Sequence, residues 1–375
     1  MEIEQYFRIC GSVGFGLALL LATNFVNHTH LLLSVLAVVV GTGIATFFVL
    51  AAATKLIIGK ERIIYYHHEV AVLAMVWLSL VLLRQPTLPY LDVTILGIGT
   101  FLTCGRIGCL MVGCCHGRPS LWGIQYGHQH VVAGFPSYLV GVRLFPIQAV
   151  ESLWVLLTVA VGTIFVWSGR PPGTALAWYI TVYNLGRFCF EFARGDADRP
   201  YWLGFSQPQW ISLILTSGIV YAERVGSLPF VYWHGILLTA LAAGMIAVAI
   251  KRRIQATSIF ELLHPTHVKE FASAVTALNS VSYEPSSLGQ NHRLVIPIAR
   301  TSLGIQMSGG QIRIGDKCVH HYTLSSERTT MTARVARVLA HLLRSLKGRA
   351  SSHQLIAGCP GVFHVVLTEP MTAKS

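Results

Sequence analysis

The sequence predicts an all-α polytopic membrane protein of seven or eight transmembrane helices, followed by a small basic C-terminal domain of mixed helix and strand. Three observations carry this. Only 12% of the 375 residues are charged, against roughly 25% in soluble domains. Hydrophobic residues make up 53% and the mean hydropathy is +0.58. The charge is also unevenly placed: residues 1–250 hold 13 basic and 10 acidic side chains, a net of +3, whereas residues 251–375 hold 15 and 6, a net of +9. This composition excludes an ordinary soluble enzyme. Disorder and a collagen-like fibre are excluded as well, because the 34 glycines follow no triplet period and only 15 residues are proline.

A spanning helix needs about 20 apolar residues. In chain order, segments 9–27, 31–58, 68–84, 91–113, 147–168, 173–193, 208–223 and 229–250 approach that length. The second is long enough to tilt or break, the seventh is short, and the last runs into Lys251-Arg252-Arg253. Residues 114–146 are rich in Gly, Pro, His and aromatics and form an extramembrane loop or small cap. These elements make up a transmembrane domain over 1–253. The C-terminal domain, 254–375, has a helical stretch near 267–279 and strand-like runs at His292–Ala299 and Phe363–Thr368. Its residues 328–347 place Arg334, Arg337 and Arg344 between Val, Leu and Ala, the pattern of an amphipathic helix. A basic appendix of this kind suits contact with anionic lipid headgroups or nucleic acid, or is simply a soluble domain. It carries no groove-reading or zinc-finger motif, and no nucleic-acid partner is expected.

Ionisable side chains inside apolar segments are costly and mark functional sites. Arg106 stands in Cys104-Gly-Arg-Ile-Gly-Cys-Leu-Met-Val-Gly-Cys-Cys-His-Gly-Arg118, with Leu110 and Gly113 on its helical face. Gly105, Gly108 and Gly113 permit close approach by a ligand or a neighbouring helix. A guanidinium there offers a planar charged fork suited to phosphate. Tyr183, Arg187, Glu191 and Arg194 share one helical face, with Glu191 able to pair both arginines. His67-His68-Glu69 opens the third apolar segment and supplies a general base near neutrality. Gln148, Glu151 and Gln209 place polar groups at the starts of the fifth and seventh segments. Cys104, Cys109, Cys114, Cys115 and His116 form a thiol-rich run, but its spacing is not that of structural zinc.

In this order the motifs resemble the prolipoprotein diacylglyceryl transferase family over roughly residues 60–220. Gly105-Arg106-Ile107-Gly108, continuing to Gly113 and Gly117-Arg118, looks like the family signature. Pro146-Ile147-Gln148 with Glu151 is similar to its Pro-Ser-Gln-x-x-Glu segment. Tyr183, Arg187, Glu191 and Arg194 match a Tyr-x-x-x-Arg-x-x-x-Glu-Phe-x-Arg pattern, and Gln209 matches a Gln that opens the last helix. The departures are His67-His68-Glu69 where the family has His-Gly-Gly, Cys109 in place of Asn, a short cap, an extra span and the C-terminal domain. The resemblance implies a multi-pass enzyme of the bacterial inner (plasma) membrane. It would move the diacylglyceryl group of phosphatidylglycerol to the lipobox cysteine of a prelipoprotein signal peptide, and glycerol phosphate would leave. It implies Arg106, Arg187 and His67 or His68 as catalytic residues, and Arg118, Gln148, Glu151, Tyr183, Glu191, Arg194 and Gln209 as substrate-binding ones. No metal or organic cofactor is implied. The competing reading is a non-catalytic phospholipid-binding paralogue or scaffold acting through its basic tail.

Overall fold

The computed structural model describes residues 3–59, 65–197, 199–254, 259–279, 297–314, 317–347 and 352–370. In chain order the long helices are α1 (Ile3–His28), α2 (Leu33–Ile58), α3 (Tyr65–Leu82) and α4 (Thr87–Val112). Strands β1 (Pro119–Gln125) and β2 (Arg143–Leu144) follow, then α5 (Ile147–Trp167) and α6 (Thr174–Phe190). The two-residue strands β3 (Tyr201–Trp202) and β4 (Phe205–Ser206) precede α7 (Gln207–Arg224) and α8 (Tyr232–Ile254). The C-terminal part contains α9 (Ile259–Leu262), α10 (Pro265–Asn279), β5 (Ile298–Arg300), β6 (Ile305–Ile314), β7 (Lys317–Ser326), α11 (Ala333–Lys347), β8 (Ser352–Ala357) and β9 (Phe363–Pro370). All eight predicted apolar segments are helices. Five of them, α1, α2, α4, α5 and α8, are long and apolar enough to cross a membrane. The chain is a multi-pass membrane protein with a small sheet-containing C-terminal part. Of the predicted strand His292–Ala299, residues 292–296 lie outside the described residues, and β5 begins at Ile298.

The chain divides into two units: residues 1–112, 147–192 and 200–247, and residues 113–146, 193–199 and 248–375. The first unit is the helical one. In lipid the hydrophobic effect does not draw helices together, so small residues and interhelical hydrogen bonds do. The helices here follow that rule. A Cβ on Gly14 of α1 would lie 2.8 Å from Cys104 Cβ of α4, and one on Gly108 would lie 3.0 Å from the Phe7 ring of α1. Gly108, two residues from Arg106, therefore serves to seat α1. On the other side Gly186 of α6 admits the Trp154 indole of α5, where a Cβ would come within 2.3 Å of Nε1. That indole donates to the Val182 carbonyl at 3.0 Å. Ser152 of α5 donates to the Thr103 carbonyl of α4 at 2.9 Å. Asp92 of α4, buried, accepts the backbone N–H of Gly173 and of Leu176 at 2.7 Å each. It thus satisfies amide donors that the first turn of α6 leaves open.

The second unit holds a five-stranded antiparallel sheet in the order β5-β6-β7-β9-β8. Ile305, Met307, Tyr322, Leu324, Val365 and Leu367 form its buried face with Phe271 and Leu278 of α10 and Leu339 and Leu343 of α11. The predicted amphipathic helix is α11: its apolar side is buried, and Arg334 and Arg337 are exposed. Residues 113–146 belong to the same unit. Their own small core is Tyr126, Phe135, Leu139, Val142 and Leu144, against which Leu346 of α11 packs.

Candidate functional site

The polar centre of the helical unit is built from α4, α5 and α6. Glu151 lies near the start of α5 and is fully buried. Its Oε1 accepts Arg106 Nη2 from α4 at 3.0 Å and faces Arg187 Nη1 of α6 at 3.4 Å. The Tyr183 hydroxyl points to the same oxygen at 3.4 Å. Arg187 Nη2 also meets Glu191 at 2.9 Å, the i,i+4 pair expected from the spacing. Both guanidinium groups are buried. Two arginines and two glutamates thus balance inside the bundle, which is the condition for holding charges away from water. Glu151 fixes the distance between the two guanidinium groups, which come from different helices.

The remaining predicted residues of this unit lie on α3, α5 and α7. Gln148, one turn before Glu151 on α5, is buried. Gln209 opens α7 as part of a capping box: its Oε1 accepts the Ser206 N–H at 3.0 Å, and its Nε2 faces the Phe188 carbonyl of α6 at 3.4 Å. The two histidines at the start of α3 differ. His67 is exposed, and its Nε2 lies 3.4 Å from the Gln207 amide nitrogen. An amide NH2 only donates, so this contact leaves His67 Nε2 as the acceptor. His68 is buried with its ring 4.8 Å from that of Phe47.

Two expectations are corrected here. The helical face drawn from Tyr183 to Arg194 stops early: α6 ends at Phe190 with Glu191 as its cap, and Arg194 lies beyond the helix. Its Nη2 donates to Asp196 at 2.8 Å, and Asp196 also accepts Arg199 Nε at 2.9 Å. Gly113 does not share a helical face with Arg106, because α4 ends at Val112 and Gly113 takes φ +86°. Arg194 and Arg118 both belong to the second unit. There Arg118 Nε donates to the Arg194 carbonyl at 3.1 Å, and Gly117 bridges to Arg194 as an antiparallel pair. A Cβ on Gly117 would come within 2.2 Å of the Phe145 carbonyl, so only glycine fits.

Sequence reasoning named Glu69 only as the neighbour of His67 and His68, and passed over Asp196. Glu69 is buried on α3, directly after His68. The signal was a carboxylate next to His68 at the head of an apolar run. Asp196 was visible as an acid two residues beyond Arg194.

Residues 67–222 match the family model for prolipoprotein diacylglyceryl transferase. A phosphatidylglycerol–prolipoprotein diacylglyceryl transferase of Dehalococcoides mccartyi is 33% identical over 125 residues, 33% of this chain and 46% of the relative. One named phosphatidylglycerol–prolipoprotein diacylglyceryl transferase 2 in Clostridium perfringens is 30% identical over 142 residues, 36% of this chain and 52% of the relative. Its namesake in Streptomyces coelicolor is 27% identical over 143 residues, 36% and 43% of the two chains. The chain spans about half the length of the curated relatives it matches. No solved structure matches. Over residues 67–222, the stretch that contains Arg106, Glu151, Arg187 and Glu191, the chain is similar to the prolipoprotein diacylglyceryl transferase family.

Proposed function

We propose that this protein is a membrane transferase that moves the diacylglyceryl group of phosphatidylglycerol to a cysteine thiol of a prelipoprotein. The observation that carries this is the convergence of Arg106 and Arg187 on Glu151 in a buried site. In the reaction the thiolate sulfur attacks the glycerol carbon that bears the phosphate. A carbon–sulfur bond forms, the carbon–oxygen bond breaks, and glycerol phosphate leaves with the bonding pair. Charge gathers on the leaving phosphate. Preorganised guanidinium groups aimed at it stabilise the transition state, and in a water-poor site they do so strongly. Arg106 and Arg187 take that role, and Glu151 and Glu191 hold their forks in place. Tyr183, Gln148 and Gln209 line up the headgroup, and Arg118 and Arg194 are substrate-binding residues of the second unit. The thiol reacts as thiolate. His67 is the better base of the two histidines, because it is exposed and its Nε2 stands as an acceptor beside Gln207. The acceptor is the lipobox cysteine of a signal peptide, and the location is the bacterial inner (plasma) membrane.

The test uses purified protein in detergent with phosphatidylglycerol and a lipobox peptide, following release of glycerol phosphate. We expect release that needs the peptide. Arg106→Ala or Arg187→Ala should lower it by roughly 10²–10³-fold, the range for removing one oxyanion-stabilising donor. Lys at either position should rescue poorly, since a point charge does not replace a bidentate fork. Phosphatidylglycerol bound without release would support the non-catalytic lipid-binding reading instead.

A further inference from the structure

We propose that His321 and His364 form a two-imidazole site for a divalent transition-metal cation of the zinc, nickel or copper class on the open face of the C-terminal sheet. The two residues lie on neighbouring strands, β7 and β9, whose register pairs Thr323 with His364. His321 is two residues along β7, so both rings stand on one face of the sheet. That face is not the one covered by α10 and α11: Tyr322, Leu324, Val365 and Leu367 point the other way, into the core. His321 is exposed and His364 half-buried, so an ion reaches them from solvent.

The geometry fits one ion. His321 Nε2 and His364 Nδ1 are 3.2 Å apart. Two metal–nitrogen bonds of about 2.0–2.1 Å at a tetrahedral angle span roughly 3.3–3.4 Å. The rings are already aligned, 19° from parallel. Thr323 Oγ1 stands 3.2 Å from the same His364 nitrogen. One ring nitrogen has either a proton or a lone pair and cannot serve both neighbours at full strength. An ion between the rings resolves this: it takes both lone pairs, and the Thr323 hydroxyl turns to a metal-bound water. Whichever of the two facing nitrogens carries the proton gives it to the other nitrogen of its own ring, so the tautomer changes and no net proton is lost. Metal ligation requires neutral imidazole. The turn after β8 is shaped to the second ring as well. A Cβ on Gly358 would lie 2.7 Å from His364 Nε2, so a side chain there would push the ring out of place. The remaining positions on the ion are open to water or to a ligand atom brought by a partner. The site is independent of the transferase chemistry and stands whether or not that reading holds.

The experiment uses the full chain in detergent at pH 7.5, with its eight free cysteines alkylated so that thiols do not compete. Copper(II) is titrated and followed by electron paramagnetic resonance, with zinc stoichiometry measured by equilibrium dialysis. We expect a copper species coupled to two nitrogens. His321→Gln and His364→Gln should each remove it and lower bound zinc by one ion per chain, while Thr323→Val keeps the two-nitrogen signal. Circular dichroism checks that each variant is folded, which is expected because His321 is exposed. If either histidine variant is folded and retains both the signal and the stoichiometry, the pair is only a cross-strand hydrogen bond and the proposal is overturned.

Discussion

At the scale of the residue, Glu151 decides more of the site than either arginine. It touches Arg106, Arg187 and Tyr183 and is fully buried. Removing one member of a buried ion network strands the charges that remain, at about 3–5 kcal/mol. Glu151→Ala should therefore lower thermal stability in detergent by that order and also abolish turnover. Arg187→Met, which takes away a charge on the opposite side, should cost less in combination with Glu191→Leu than alone. A double-mutant cycle read by denaturation would show the coupling, and additivity would count against a shared network. The arginines and Glu151 were legible in the sequence because charge in apolar helices is rare. Arg194 was misplaced because helical spacing was extended past Phe190, where the chain turns towards Gly195 and Asp196. Glu69 was given no role of its own because its neighbours His67 and His68 drew the catalytic one, although its carboxyl is as buried as His68.

At the scale of the element, hydropathy located the helices α1 to α8 among the described residues, because apolar length is a strong signal in a membrane protein. The sheet was harder. β6 carries Gly309 and Gly310 at its centre, and β7 carries His320 and His321, so neither looks like a β-branched strand. Their pairing decides the structure: a Cβ on Gly309 would come within 2.2 Å of the His321 carbonyl, which makes the glycine a requirement of strand approach. The capping of α6 was equally silent in the sequence, because Asp92 lies 81 residues before the amide of Gly173 that it accepts. Loss of a cap costs about 1 kcal/mol, up to about 2. Asp92→Ala should destabilise the protein by that amount, whereas Asp92→Asn, which keeps an acceptor, should cost less. Melting in detergent measures both. Equal melting temperatures for Asp92→Ala and the parent would mean that water takes over the cap.

At the scale of the whole molecule, the composition break after residue 250 marks where the basic C-terminal part begins. The membership of 113–146 and 193–199 in the second unit has no linear signal, since it rests on contacts such as that of Leu346 with the small core around Leu139. This unit is also where pH should act. Burial first, and then Arg118, Arg252 and His267, push His264 down to about 4 from its ordinary 6.5. Burial likewise lowers His267, against the opposing pull of the Leu262 carbonyl and Glu270. A histidine whose folded pKa is depressed is held neutral by folding. The unfolded chain then takes up the proton first as pH falls, so folding stability declines from about pH 6.5 down to about 4 and is level above that window. The sign is opposite to that of a histidine gaining an acidic partner, which stabilises at low pH. Hydrogen exchange of α10 in the intact protein, compared at pH 7.5, 5.5 and 4.5 after correction for intrinsic rates, measures it. Protection should fall across that range, and His264→Gln should flatten the fall. Arg118→Gln should do so in part, by removing one of the positive charges that disfavour the imidazolium. Protection that stays constant from 7.5 to 4.5 in the parent would mean that water reaches the half-buried imidazole and that its neutrality costs the fold nothing.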